Sequence, residues 1–271
     1  MPEKLKSILT IAGSDPTGGA GIQADIRSII SMGFHPLSAI TAVTSQNSSG
    51  IQKLGVIPPE VLKSQLESIF HDVVPDAVKV GMLGSQENLE VVYDFLNKYA
   101  GNIPIVLDPV LKASADNNIL LKGENLNKYI NNLKALLFPL VTVITPNKEE
   151  FEFLTGKKSL ELMELSEILS ALNLKNLIIT SGIVRENVIY DILSEGEIIT
   201  FQEKPKINCH NLHGSGCVFS SILSCELAKG KDIKTAFGVT SWKMKSIIEK
   251  SVSYKLGNST YGPLNLNNYT I

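Results

Sequence analysis

His213-Gly214-Ser215-Gly216-Cys217 stands immediately before the apolar run VFSSILSCELA, so two glycines and a thiol meet at what reads as the start of a helix. Backbone N–H groups at such a start point toward one spot, and the helix dipole adds partial positive charge there. A phosphoryl group in transfer needs that kind of cradle, because its charge is spread over its equatorial oxygens. Gly214, Ser215 and Gly216 are therefore the candidate anion hole. Cys217 falls in the first turn, where a thiol is expected to ionise below its ordinary value of about 8.5 and to take the proton of an attacking alcohol. The competing interpretation of GSGC is a glycine-rich cap followed by a small buried thiol.

A second glycine-rich stretch, Gly13-Ser14-Asp15-Pro16-Thr17-Gly18-Gly19-Ala20-Gly21, matches neither GxGxxG nor GxxxxGK[ST], so neither the Rossmann nor the P-loop fingerprint applies. Its glycines let backbone approach a small ligand closely, and Asp15 is the candidate to bind a hydroxyl; a plain tight turn is the alternative. Asp108, followed by the turn-forcing Pro109, can reach Mg²⁺ directly or through water beside nucleotide phosphates. Asn147 and Glu150 lie three apart at a helix start and share one face. Taken singly, Asp108 could cap a turn, and Asn147 with Glu150 could form a capping box. Gln46 can donate to and accept from an aminopyrimidine edge at once. Met82 offers an adaptable apolar wall, with a place in the core as the simpler assignment. The four histidines, His35, His71, His210 and His213, show no metal-ligand spacing, and only His213 sits in a suspect loop.

Short apolar runs alternate with amphipathic stretches along almost the whole chain. The pattern predicts strands at 7–12, 38–43, 77–82, 103–107, 141–145 and 176–181, and helices at 22–32, 59–70, 88–99, 126–137, 215–228 and 233–250. Continuous Val/Ile/Leu runs are strands buried on both faces, and the helices between them are long enough for crossovers. A mostly parallel central sheet with helices on both faces follows. Only Ser194-Glu195-Gly196 separates the extended runs 187–193 and 197–202, which predicts a short antiparallel hairpin at one edge. The Asn-rich tail near 264–271 is expected to be loose. No linker, repeat or low-complexity run interrupts the pattern, so one α/β domain over 1–271 is expected. In such sheets ligands sit beyond the carboxyl ends of the strands. Gly13, Asp15, Gln46, Met82, Asp108, Val110, Asn147 and Thr180 all fall there or directly after, and that common edge favours function over the local alternatives.

Twenty-five Lys and Arg against 27 Asp and Glu leave a net charge of −2, so no basic field favours nucleic acid. With 44 % hydrophobic and 19 % charged residues the chain can fill a large core, and disorder is excluded. Three cysteines, none in CxxC spacing, argue against a disulfide framework or zinc module and for a reducing compartment. The apolar run in MPEKLKSILTIAGSD is too short for a signal peptide, and no segment approaches about 18 continuous apolar residues. A soluble cytoplasmic protein is expected, with a small-molecule substrate and neither nucleic acid nor membrane as partner.

LTIAGSDPTGGAGIQAD (9–25), SAITAVTSQN (38–47), VKVGML (78–83), VLDPV (106–110), ITPNKEE (144–150) and HGSGC (213–217) occur in this order. Together they resemble the hydroxymethylpyrimidine/phosphomethylpyrimidine kinases, thiamine-pathway members of the ribokinase-like superfamily. The resemblance implies a ribokinase-like fold and an ATP- and Mg²⁺-dependent kinase. Its substrate would be 4-amino-5-hydroxymethyl-2-methylpyrimidine and then the monophosphate, giving the diphosphate used for thiamine. By the same resemblance Gln46 would bind the pyrimidine, with Gly13, Asp15, Ala20, Met82 and Val110 around it. Gly214, Ser215 and Gly216 would form the anion hole, and Cys217 would stand where sugar kinases of the superfamily carry an Asp base. Asp108, Asn147 and Glu150 would serve Mg²⁺ and phosphate, and Thr180 the nucleotide.

Two departures stand out. The family commonly has Lys-Gly-Gly where this chain has Thr180-Ser181-Gly182, which is closer to the related pyridoxal kinases, and Lys112 comes earlier than the Lys that usually follows Asp-Pro-Val. A pyridoxal or pyridoxine kinase and a non-catalytic pyrimidine sensor are accordingly the alternatives. A Cys-dependent hydrolase would need a base beside Cys217, and His213 lies four residues back across the glycine turn. Family members are often dimers, and the 187–202 hairpin is the expected pairing edge.

Overall fold

The computed structural model describes residues 5–47, 50–111, 124–157, 161–253, 255–256 and 262–267. Lys112 and residues 268–271 of the expected loose tail lie outside them.

β1 (Ser7–Ser14) shows why the apolar runs become central strands. All but its last residue are buried, and successive side chains point to opposite faces. Ile8 joins one core cluster and Leu9 and Ile11 the other. The same division repeats in β4 (Ala77–Val80), β5 (Ile105–Leu107), β6 (Val143–Ile144) and β7 (Leu177–Arg185). With β2 (His35–Asn47), β3 (Gly50–Val56), β8 (Val188–Glu195) and β9 (Ile198–Pro205) they form one sheet in the order β3-β2-β1-β4-β5-β6-β7-β8-β9. From β2 through β7 every neighbouring pair is parallel.

One face is covered by α1 (Gly21–Ser31), α7 (Ser215–Ala228) and α8 (Ile233–Ser251). The other is covered by α2 (Pro59–Asp72), α3 (Gln86–Tyr99), α4 (Glu124–Asn132), α5 (Lys148–Thr155) and α6 (Leu165–Ala171). α2 buries Leu62 and Leu66 one turn apart and turns Lys63 and Glu67 to solvent, the amphipathic pattern of a covering helix. α7 is different: it is buried almost all round, wedged between the sheet, α1 and α8. That position drives its N-terminus into the carboxyl edge of the sheet.

The layered α/β fold and the hairpin β8–β9 are as expected, and α7 has the predicted bounds. The opposite edge is not as expected. β3 pairs antiparallel with β2, so the sheet carries antiparallel strands at both edges. GIQKLGV is largely exposed or half-buried and lacks the apolar run that marks the inner strands. The tail also differs in part: Leu264 and Leu266 are buried against the cluster containing α7 and α8.

Candidate active site

β1 pairs with β2 on one side and β4 on the other, so the order of winding reverses there. A crevice opens at such a switch point beyond the strand ends. It is a cleft of about 220 Å³, and every candidate site residue assigned in the sequence lines it: Gly13, Asp15 and Ala20 after β1, Gln46 at the end of β2, Met82 after β4, and Asp108 and Val110 after β5. Asn147 and Glu150 after β6, Thr180 in β7, and Gly214 to Cys217 at the start of α7 complete it.

At one end a register shift between Ser45 and Gln46 in the β2–β3 pair re-aims Gln46 into the cleft. Thr44 Oγ1 donates to the Ser14 carbonyl at 3.0 Å and ties the ends of β2 and β1 together. The Asp15 carboxylate accepts from Thr17 N–H (2.8 Å), Thr17 Oγ1 (2.9 Å) and Ala20 N–H (2.9 Å), and His213 Nε2 lies 2.8 Å away. Burial works to raise this carboxyl, but the hydrogen bonds from His213 and Thr17 outweigh it and hold it below the usual range. Asp15 therefore braces the glycine-rich loop from inside while lining the cleft. His213 in turn lies 3.3 Å from Gln46 Nε2, linking the loop, the Gln46 end and the start of α7.

At the other end α7 presents its N-terminus. Gly214 caps it in the left-handed region (φ 78°), and a Cβ there would collide with the carbonyl oxygen of Gly19. The early loop and the anion-hole loop are thus packed backbone to backbone, which only glycine allows. Cys217 sits just inside, the one half-buried cysteine beside the buried Cys209 and Cys225. Its ionisation runs opposite to the expectation from the helix start. Burial, reinforced by the charges of Asp25 and Asp108, pushes the thiol up to about 12, against the opposing Lys79 ammonium and the Gly21 N–H. The thiol hydrogen-bonds to Asp108, which also accepts from Ser220 Oγ at 3.2 Å. Burial, with Asp25 nearby, holds the Asp108 carboxyl above its ordinary value.

Asn147 and Glu150 do form a capping box: Asn147 Oδ1 accepts from Glu150 N–H and Glu150 Oε2 from Asn147 N–H, both at 3.0 Å. The local alternative and the site assignment are both realised, because the capped end of α5 is itself part of the cleft wall. Next to it Thr180 N–H donates to the Pro146 carbonyl at 3.0 Å. Ser181 takes a left-handed φ of 52°, and its N–H donates to the buried Asp191 at 2.7 Å.

No cluster of three or more His, Cys, Asp or Glu among the described residues could cage a metal ion. Asp108 and Glu150 still line one cleft. That donor set fits a divalent cation held by one or two carboxylates and otherwise by phosphates and water. Four lining residues were not singled out in the sequence analysis: Ala12, Lys79, Ile51 and Thr145. Lys79 had a signal, since a lysine inside the buried strand AVKV must have a partner. Ile51 had none, because β3 itself was not foreseen.

A parallel-centred sheet wound to both sides of β1, with a helix N-terminus and acidic strand ends facing one cleft, defines a ribokinase-like kinase. The family model described as "Phosphomethylpyrimidine kinase" matches residues 15–265, and the chain belongs to that family. It is 37 % identical over 261 residues to the hydroxymethylpyrimidine/phosphomethylpyrimidine kinase of Bacillus subtilis (strain 168), covering 95 % of this chain and 93 % of that one. Among solved structures, phosphomethylpyrimidine kinase from Clostridium difficile 630 superposes with a TM-score of 0.75 at 32 % identity, over 92 % of this chain and 100 % of that one. An ADP complex of Bacillus subtilis pyridoxal kinase superposes with a TM-score of 0.82 at 30 % identity, over 96 % and 97 % of the two chains.

Proposed function

We propose that the protein transfers the γ-phosphoryl group of ATP to the hydroxyl of 4-amino-5-hydroxymethyl-2-methylpyrimidine, and then a second one to the monophosphate, giving the diphosphate used for thiamine. The observation that carries this is the joining of the Gln46 end and the α7 cradle in one cleft, with Cys217 at the cradle. Gln46 pairs with the aminopyrimidine edge, with Gly13, Ala20, Met82 and Val110 as its walls. The N–H groups of Gly214, Ser215 and Gly216 hold the equatorial oxygens of the moving group. Thr180, at the cleft wall, faces the nucleotide.

In the first transfer the acceptor oxygen forms a bond to the γ-phosphorus, the bond to the β,γ-bridging oxygen breaks, and ADP leaves. The acceptor's proton passes to Cys217 in its thiolate form, a minor species at neutral pH. Mg²⁺, held by Asp108 and Glu150 with Asn147 beside them, would gather the phosphate charge. In the second transfer the nucleophile is an oxygen of a phosphate monoester, already ionised because its second pKa is about 6. No base is needed there.

One observation favours pyridoxal as a second acceptor, the close superposition on a pyridoxal kinase, and Thr180-Ser181, the departure from Lys-Gly that the resemblance implies, points the same way. The same proposal takes the whole chain as one kinase domain, cytoplasmic in location; among the described residues no helix is long and apolar enough to cross a membrane. Mass spectrometry of the products with ATP and Mg²⁺ tests the main proposal. The monophosphate should appear first and the diphosphate after it. Unchanged pyrimidine with ATP intact would contradict it.

A further inference from the structure

The floor of the cleft holds charge that the steps above leave unassigned. Lys79 and Asp25 are both fully buried, with Lys79 Nζ 2.9 Å from Asp25 Oδ2 and 3.9 Å from Asp108 Oδ2. Asp25 is anchored from two further elements: Thr10 Oγ1 on β1 donates to Oδ2 at 2.6 Å, and Ser221 Oγ on α7 donates to Oδ1 at 2.9 Å. A carboxylate so held fixes the ammonium it pairs with.

Two features separate this arrangement from a core ion pair. Lys79 lines the cleft beneath Gly81, where a Cβ would stand 2.7 Å from Nζ, so the glycine leaves room for the ammonium below the transfer point. The ammonium also serves more than Asp25: it attracts Asp108, and its charge acts on Cys217, whose thiol hydrogen-bonds to Asp108. A buried pair adds little stability over apolar side chains of similar volume. A lysine needed only as filler would have no reason to reach the edge of the site.

We propose that Lys79 is a positioning residue for phosphoryl transfer: pinned by Asp25, its ammonium holds the Asp108 carboxylate and the Cys217 thiol at the start of α7 and keeps a fixed positive charge under the point where phosphoryl charge develops. The inference rests on the phosphotransfer proposed above.

Lys79→Met, Asp25→Asn and the double variant test it, with melting temperature, kcat and both KM values as readouts. Lys79→Met strands a buried carboxylate and should be destabilised; adding Asp25→Asn should restore most of the loss. In that double variant kcat should stay down by about 100-fold or more, with KM for ATP and pyrimidine within about threefold. Recovery of kcat together with melting temperature would make Lys79 a mere counter-ion and overturn the proposal. Gly81→Ala supplies a second variant, which crowds the ammonium without removing charge; it should lower kcat about tenfold, and an unchanged kcat would overturn the proposal as well. If the unaltered protein turns over no acceptor, the phosphotransfer reading is what fails. A crystal structure of the double variant then decides: Asp108 and Cys217 displaced supports positioning by Lys79, and both in place refutes it.

Discussion

Two forces oppose each other at Cys217. The helix N-terminus favours a thiolate, while burial and the carboxylates of Asp25 and Asp108 oppose it and win. Alkylation by iodoacetamide requires the thiolate, so its rate at Cys217 should keep climbing from about pH 7 to about pH 10, as expected for a thiol pushed up to about 12. Peptide mapping isolates this site from the buried Cys209 and Cys225; a plateau below about pH 9 would contradict the assignment. The base role makes a sharper prediction through Cys217→Ser. A hydroxyl is a poor base at neutral pH, so phosphorylation of the free pyrimidine should slow by about 100-fold or more. Phosphorylation of the monophosphate, whose nucleophile carries no proton, should slow by less than about tenfold. Equal losses in the two steps would show that Cys217 acts on the phosphoryl group and not on the proton.

Loops, more than long elements, decide whether these residues meet. The early loop and the start of α7 touch at Gly19 and Gly214; at Gly214 neither the positive φ nor the close approach tolerates a side chain. Gly156 provides the control: it too has a positive φ, 72°, but a Cβ there would meet only open space. Gly156→Ala should cost about 1–2 kcal/mol through its backbone alone. Gly214→Ala should cost more, and it alone should abolish turnover. Thermal melts with parallel assays check this, and equal effects would mean that the loop contact is unimportant. The positions of both loops were legible in the sequence because inner strands of a parallel sheet are unbroken apolar runs that end abruptly in polar or glycine residues. The role of Asp15 was not. Nothing in the local sequence shows that His213, 198 residues further along, closes on its carboxylate. β3 was hidden for the opposite reason, being too exposed to leave an apolar run.

At the scale of the molecule, the sheet sandwiched between two helix layers ends in the open strand β9, where Ile198 and Phe201 are exposed. We propose that two copies meet along this edge, since an unpaired strand with apolar side chains is a template for pairing. Light scattering should return twice the chain mass, and lysines at both positions should return the monomer with its fold intact; a monomer before substitution would refute the contact. Neither charge nor composition foreshadows such an edge, whereas the hairpin that creates it was legible from one short Ser/Gly connection. The central claim, a kinase whose Gln46 end selects a pyrimidine, is tested most directly by ADP release from ATP and Mg²⁺. Hydroxymethylpyrimidine, its monophosphate and pyridoxal should be compared side by side. The account predicts turnover of both pyrimidines. Turnover of pyridoxal alone would contradict it, and would move the decision about substrate from Gln46 to Thr180 and Ser181.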